Sequence, residues 1–244
     1  MDDRRQTGQA GVIPKAVVLL SGGLDSSTLL LYVRRRLAVP EVHALSVRYG
    51  QKHAREIEMA RWQAAHAGLQ THREVELPFF SGLTAGASAL IDAAVPVPDL
   101  AQLDAGQLRQ PPTYVPNRNM VLLSLAAAHA EAVGAQDVFY GAQAQDRYGY
   151  WDCTADFVGR MNAVLSLNRG SPISIHAPFV AMTKADVVRL GLELGVDYSH
   201  TWTCYRGGQT PCASCPSCVE RSAAFRSVGL ADPLMNASPR EDRR

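Results

Sequence analysis

A dominant charge is what this sequence most plainly lacks. Its 244 residues carry 24 Lys+Arg against 23 Asp+Glu, a formal net charge of +1, so no overall field gathers nucleic acid or an anionic surface. It has no apolar run long enough to span a bilayer, and no membrane role is expected. Met1 to Gly11 is polar and mixed in charge, without the apolar stretch of a secretory signal, which leads us to expect a cytoplasmic protein. Cysteine is sparse as well: there are 5, and in a cytoplasmic chain they are not expected to pair as disulfides. No internal repeat is present. Arg34-Arg35-Arg36 is a local run of one charge, and near the end of a helix it suits the helix dipole and a solvated face better than a nucleic-acid patch.

What remains is ordinary globular material, 47% hydrophobic and 19% charged, enough to bury a large core in one α/β domain or two small ones. The chain is organised around Ser21-Gly22-Gly23-Leu24-Asp25-Ser26-Ser27. The apolar run Ala16 to Leu20 before it reads as a buried strand, and Thr28 to Leu37 after it as a helix. A strand, a glycine turn and a helix aim backbone N–H groups and a positive dipole end at an anion. Gly22 and Gly23 let a phosphate come close, the three serines add hydroxyl donors, and Asp25 puts a carboxylate where a phosphate-bound Mg²⁺ would sit. A plain capped turn is the bland alternative. The loop lacks the Lys-Ser/Thr of a P-loop and the third glycine of a dinucleotide fingerprint. It resembles the pyrophosphatase loop of enzymes that split ATP into AMP and pyrophosphate.

Strand and helix signals then alternate. Strands are expected at Val42 to Val47, Thr71 to Leu77, Asp137 to Tyr140 and Ile173 to His176. Helices are expected at His53 to Ala67, Asn119 to Val133, Phe157 to Leu167 and Lys184 to Leu194. Between Pro78 and Pro116 periodicity fails and prolines interrupt, so an unstructured functional or mobile connection is expected. The alternation predicts an α/β fold, a doubly wound, mostly parallel sheet with ligands at the carboxyl ends of its strands. Residues 14–200 form the expected α/β domain, 201–230 a small C-terminal zinc-binding lobe, and 1–13 and 231–244 flexible tails.

The lobe rests on cysteine spacing. Cys204, Cys212, Cys215 and Cys218 are separated by Gly207, Gly208, Pro211 and Pro216, which favour tight turns that let four thiolates converge. Four thiolates suit tetrahedral Zn²⁺ in a structural role, with an Fe–S cluster as the rival. Cys153 is left over and reads as a small buried residue.

Taken together, the motifs resemble the 7-cyano-7-deazaguanine synthase family. The resemblance runs from about Ala16 to Phe225 and uses the loop Leu20-Ser21-Gly22-Gly23-Leu24-Asp25-Ser26-Ser27-Thr28-Leu29-Leu30. It also uses Tyr49-Gly50-Gln51-Lys52-His53, Val115-Pro116-Asn117-Arg118-Asn119, Gly149-Tyr150-Trp151-Asp152-Cys153, Thr183-Lys184, and Thr203-Cys204-Tyr205 with the later cysteines. Two departures stand out: family members commonly have Gly at the place of Asn117 and Pro at the place of Trp151.

The resemblance implies a Rossmann-like fold of the adenine nucleotide alpha hydrolase type. It also implies an ATP-dependent ligase that converts 7-carboxy-7-deazaguanine and ammonia into the nitrile. It assigns the loop from Leu20 to Leu30 to ATP, and it implies catalytic roles for Asp25, Arg118 and Lys184. Gln51, Arg118, Asn119, Asp146, Tyr150 and Asp152 would contact the deazapurine, with Trp151 offering a second flat face. Zn²⁺ would sit on the four cysteines, Mg²⁺ would accompany ATP, and the protein would be a homodimer that binds no nucleic acid. The rival readings are a tRNA thiolase or lysidine synthetase, an amidotransferase of the NAD or GMP synthetase kind, and a non-catalytic nucleotide-binding module. The near-neutral charge counts against the RNA enzymes, and the absence of a glutaminase domain against the amidotransferase.

Overall fold

The computed structural model describes residues 13–52, 55–144 and 149–235. Its centre is a five-stranded sheet in the order β3-β2-β1-β4-β5, with every pairing parallel. The strands are β1 (Lys15–Leu19), β2 (Glu41–Arg48), β3 (Thr71–Glu76), β4 (Asp137–Phe139) and β5 (Ser174–His176). The helices are α1 (Leu24–Leu31), α2 (Arg55–His66), α3 (Pro78–Leu83), α4 (Ala105–Arg109), α5 (Arg118–Val133), α6 (Ala155–Leu165), α7 (Lys184–Glu193) and α8 (Pro216–Ser227). His53, expected at the start of α2, lies outside the described residues.

Strands β1, β2 and β4 are buried on both faces, which is why they could be read as short continuous runs, whereas the edge strand β3 is mostly polar and only half-buried. Val17, Leu45 and Val138 face one core, where Leu123 of α5 and Phe157 of α6 cover them. Ala16, Val18, Ala44 and Phe139 face the other, against Leu29, Ala60, Val187 and Phe225 of α1, α2, α7 and α8. The sheet is therefore doubly wound, as the alternation predicts. The order reverses between β1 and β4, so the crevice at their carboxyl ends is the natural ligand site.

Three expectations need correction. The first helix begins at Leu24 rather than Thr28, so the loop's own residues make its first turn. Its last turn, Tyr32–Arg36, widens to a Leu37-to-Tyr32 bond, and Arg34 Nη1 donates to the carbonyls of Val39 and Pro40 at 2.9 Å each. Arg34 therefore serves the end of the helix, while Arg35 donates to the Leu194 carbonyl. The connection from Pro78 to Pro116 is not unstructured. Ala89, Leu90, Ile91 and Val97 are buried, Lys52 N–H bonds the Leu90 carbonyl, and Arg206 reaches both the Val97 carbonyl and Asp99. Tertiary contacts hold it in place of local periodicity. The proposed lobe and tail also lie closer to the main domain than expected. Ala224 and Phe225 pack in the α1–α7 core, while Asp232 and Leu234, assigned to a tail, are buried.

Asp232 owes its burial to Arg221 in α8. The guanidinium is 1% exposed and makes two bonds to the carboxylate, at 2.8 and 3.0 Å. It also donates to Thr201 Oγ1 at 2.7 Å and to the Tyr198 carbonyl at 3.0 Å. Removing one partner of such a pair strands the other charge away from water. Asp232→Ala should accordingly cost about 3–5 kcal/mol of stability, seen as a lower midpoint in urea unfolding.

Candidate active site

The loop after β1 is held from three sides. Gly22 has φ +83°, and a Cβ there would fall 2.1 Å from the Glu56 carbonyl oxygen in α2. Its missing side chain thus faces a helix backbone and not, as expected, an incoming phosphate. The Gly22 carbonyl accepts the Trp202 N–H at 2.9 Å, which ties the loop to the segment leading into the cysteines. Gly141, just past β4, packs 3.3 Å (as a notional Cβ) from the backbone of Asp25 and Ser26. Ser26 Oγ folds back to within 2.9 Å of Ser21 Oγ and accepts the Ser21 N–H. No side chain caps α1, so its first turn and dipole open onto a cavity.

The cavity places the candidate residues unevenly. Leu20, Ser21, Gly23, Leu24, Asp25 and Ser26 line it. Thr28 is buried and bonds Tyr198 Oη at 2.7 Å, while Leu29 and Leu30 belong to the core. Ser27 is fully buried, and its hydroxyl has no hydrogen-bond partner. Those four residues support the loop from behind instead of touching a ligand. From the facing elements come Tyr49 and Gln51 after β2, Arg118 and Asn119 of α5, Tyr150 and Lys184.

Asp25 and Lys184 form the charged end. Lys184, first residue of α7 behind a Thr183–Asp186 capping box, is 7% exposed. Its ammonium is 4.0 Å from Asp25 Oδ2 and 3.3 Å from Glu220 Oε2 of α8. Burial raises the Asp25 pKa, and the nearby ammonium only partly offsets it. Among the described residues Asp25 Oδ1 is buried without a hydrogen-bond partner, a carboxylate oxygen of the kind a cation takes. Glu220 gave no sequence signal, because nothing in its neighbourhood marks which way α8 turns.

Arg118 forms the opposite wall. Burial works against its charge, but Tyr49, Cys153 and Asp152 together more than offset it, and an arginine stays protonated here: Nη1 donates to Tyr49 Oη at 3.3 Å and the guanidinium lies 5.9 Å from the ring centre. Asn117, one of the two departures, is explained by its backbone. It sits at φ +54°, in the left-handed region that Gly favours and Asn tolerates, at the entry to α5. Asp152 is buried, and its Oδ2 accepts the Asn119 N–H at 3.2 Å in the first turn of α5. That is the helix-cap role, and it keeps Asp152 out of the cavity lining. Its Oδ1 has no hydrogen-bond partner, and burial raises its pKa. Tyr150 faces the cavity with Oη 2.8 Å from Thr113 Oγ1. Trp151 does not share the wall. It is 49% exposed and points to Tyr114 Oη and Phe157, so this departure falls outside the cavity lining. Gln51 Oε1 accepts the Tyr49 N–H at 2.9 Å and its amide donates toward the Val47 carbonyl, so it shapes the turn it lines. Asp146 lies outside the described residues.

The sulfurs of Cys204, Cys212, Cys215 and Cys218 all lie within 4.8 Å of one another. A tetrahedral Zn²⁺ with bonds of about 2.3 Å spaces its sulfurs by about 3.8 Å, so one ion fits, whereas a multi-iron cluster would spread them. The Cys212 and Cys215 N–H groups donate to the sulfurs of Cys204 and Cys212. Hydrogen bonds from Cys215 and Cys218 pull the Cys204 thiol well below its ordinary range. Trp202, Ala89 and Val97 make the small core beside the cluster. Cys153 is buried, accepts from Asn119 Nδ2 at 3.2 Å, and has an edge on the cavity.

The raised pKa of Asp25 has a thermodynamic consequence. The folded state holds this proton more tightly than the unfolded chain, whose value is about 3.9, so the site costs stability as pH rises through the folded pKa. Asp25→Asn escapes that loss. Its melting temperature should gain on the original protein as pH climbs above about 4 and stay higher at neutrality. Paired thermal scans across pH check this; a destabilised Asn variant at pH 7 would make the carboxylate a structural group.

Comparison with known proteins gives consistent findings. The family model described as "Queuosine biosynthesis protein QueC" matches residues 15–229. The 7-cyano-7-deazaguanine synthase of Archaeoglobus fulgidus is 46% identical over 223 residues, covering 91% of this chain and 90% of that one. Those of Chromohalobacter salexigens (46% identical, 91% of this chain, 86% of the relative) and Caldicellulosiruptor bescii (45%, 90% and 96%) are similar throughout as well. With the loop, the parallel sheet and the cysteine cluster in their expected places, this chain belongs to the QueC family of queuosine biosynthesis proteins.

Proposed function

We propose that this enzyme converts 7-carboxy-7-deazaguanine and ammonia into 7-cyano-7-deazaguanine, consuming ATP through adenylated intermediates. The observation that carries the reading is the uncapped first turn of α1, opening on a cavity where Asp25, Lys184 and Arg118 converge. A carboxylate is a poor electrophile because oxide leaves badly. Attack of a carboxylate oxygen on the α-phosphorus expels pyrophosphate and makes AMP the leaving group. Ammonia then adds to the carbonyl carbon, loses a proton, and AMP departs to leave the amide. The amide oxygen attacks a second ATP in the same way. Loss of both N–H protons and AMP then closes the C≡N bond. Since ATP supplies the leaving group, the protein's part is positioning and charge stabilisation.

In this reading Ser21, Gly23 and the first N–H groups of α1 receive the pyrophosphate, whose charge the helix dipole favours. Lys184 meets the charge growing on the phosphates. The free oxygen of Asp25 would hold the Mg²⁺ that accompanies ATP and screens its charge when bound. Arg118, held by Tyr49, orients the substrate carboxylate, and Tyr150 offers a ring to the deazapurine. The four cysteines hold one Zn²⁺ in a structural role, since saturated thiolate ligation leaves no open position.

Protein incubated with ATP, Mg²⁺, ammonium and the acid should give AMP, pyrophosphate and the nitrile, with the amide appearing transiently by mass spectrometry. ADP and phosphate alone would overturn the mechanism, and thiolation of a tRNA without turnover of the acid would replace it with RNA modification. Elemental analysis should find one zinc per chain. Cys212→Ser should lose the ion and unfold at lower temperature, because structural zinc in small zinc domains contributes on the order of 10 kcal/mol. Iron with labile sulfide would refute the zinc assignment.

A further inference from the structure

Helix α8 does more than present Cys215 and Cys218. Cys215 precedes its first turn, Cys218 lies within it, and Ser217 lines the cavity. Arg221, one residue past Glu220, is fixed by Asp232, Thr201, Thr203 and the Tyr198 carbonyl. The helix therefore cannot roll about its axis. That lock directs Glu220 at Lys184, with Oε2 3.3 Å from the ammonium. Lys184 also stands 4.0 Å from Asp25, so one ammonium lies between two carboxylates of unlike exposure. Asp25 is 23% exposed by side chain and Glu220 is 40% exposed.

We propose that Glu220 is a positioning residue for ATP cleavage: it holds the Lys184 ammonium beyond hydrogen-bond distance of Asp25 Oδ2, leaving the Asp25 carboxylate open to a cation and the ammonium placed toward the phosphates. The inference rests on the ATP-cleaving reading above. Without Glu220 the ammonium would settle on Asp25 in a closed pair. The site would lose a cation for the transferring phosphoryl group and a carboxylate for the accompanying metal in the same step. Such a loss falls on the transition state, where charge develops, more than on the ground-state complex.

The test is pyrophosphate release by Glu220→Gln, Glu220→Asp, Lys184→Met and the double variant Glu220→Gln/Lys184→Met. For Glu220→Gln, kcat should fall roughly 10- to 100-fold, with KM for ATP within about 2-fold and the melting temperature nearly unmoved. Glu220→Asp should recover part of the rate. The double variant should be no slower than Lys184→Met alone, since a residue acting through another adds nothing once that other is gone. Glu220→Gln at full rate, a lowered melting temperature with normal kcat per folded molecule, or additive losses in the double variant would each overturn the proposal while the reaction stands. No pyrophosphate from the unmutated protein would overturn the reaction itself, and the proposal with it.

Discussion

The structure depends on one clamp, the packing of the β1–α1 turn against three separate pieces of backbone. Gly22 lies so close to α2 that no side chain fits, Gly141 presses on the backbone of Asp25 and Ser26, and the Trp202 N–H holds the Gly22 carbonyl. Each contact comes from a different part of the sequence, and together they fix which way the first turn of α1 points. A helix N-terminus is a useful anion site only if its N–H groups are neither capped by side chains nor covered. The clamp meets both conditions here. It stabilises the loop through backbone contacts and leaves its donors facing the cavity.

Charge is arranged around that opening with little water to screen it. Asp25 is buried enough that burial raises its pKa, Lys184 is nearly inaccessible, and Arg118 is held against Tyr49. Fixed charges in such a site act more strongly on a developing anion than the same charges in water, and they need no rearrangement as it forms. The cysteine cluster belongs to the same construction. The Trp202 link reaches the loop from its one side, and α8 reaches Lys184 from the other, so the segment around the cysteines helps set the positions of groups lining the cavity.

The parts readable from sequence were those whose signal is contiguous. Ser21 to Ser27 and the cysteine spacing are local patterns, and both lie where they were expected. The central strands β1, β2 and β4 could be read because a sheet covered on both faces writes itself as apolar runs. Other features arise only when distant segments meet. Helix α8 follows the cysteines without a strong apolar stripe, and the Arg221–Asp232 pair joins it to residues that read as a tail. The stretch from Pro78 to Pro116 is ordered by contacts with the cysteine lobe and the cavity wall, which no periodicity announces. Gly22 was correctly picked out but for the wrong neighbour, since a sequence cannot say which backbone a glycine approaches. Asn117 shows the reverse case, a departure from the family pattern that its left-handed backbone accounts for.

The proposed reaction turns on a bond between the substrate carboxylate and the α-phosphorus of ATP. Labelling the carboxylate of the acid with ¹⁸O tests this bond directly. The label is expected in the phosphoryl group of AMP, because the attacking oxygen leaves with it. Label recovered in inorganic phosphate, or in solvent with AMP unlabelled, would contradict adenylation at this site.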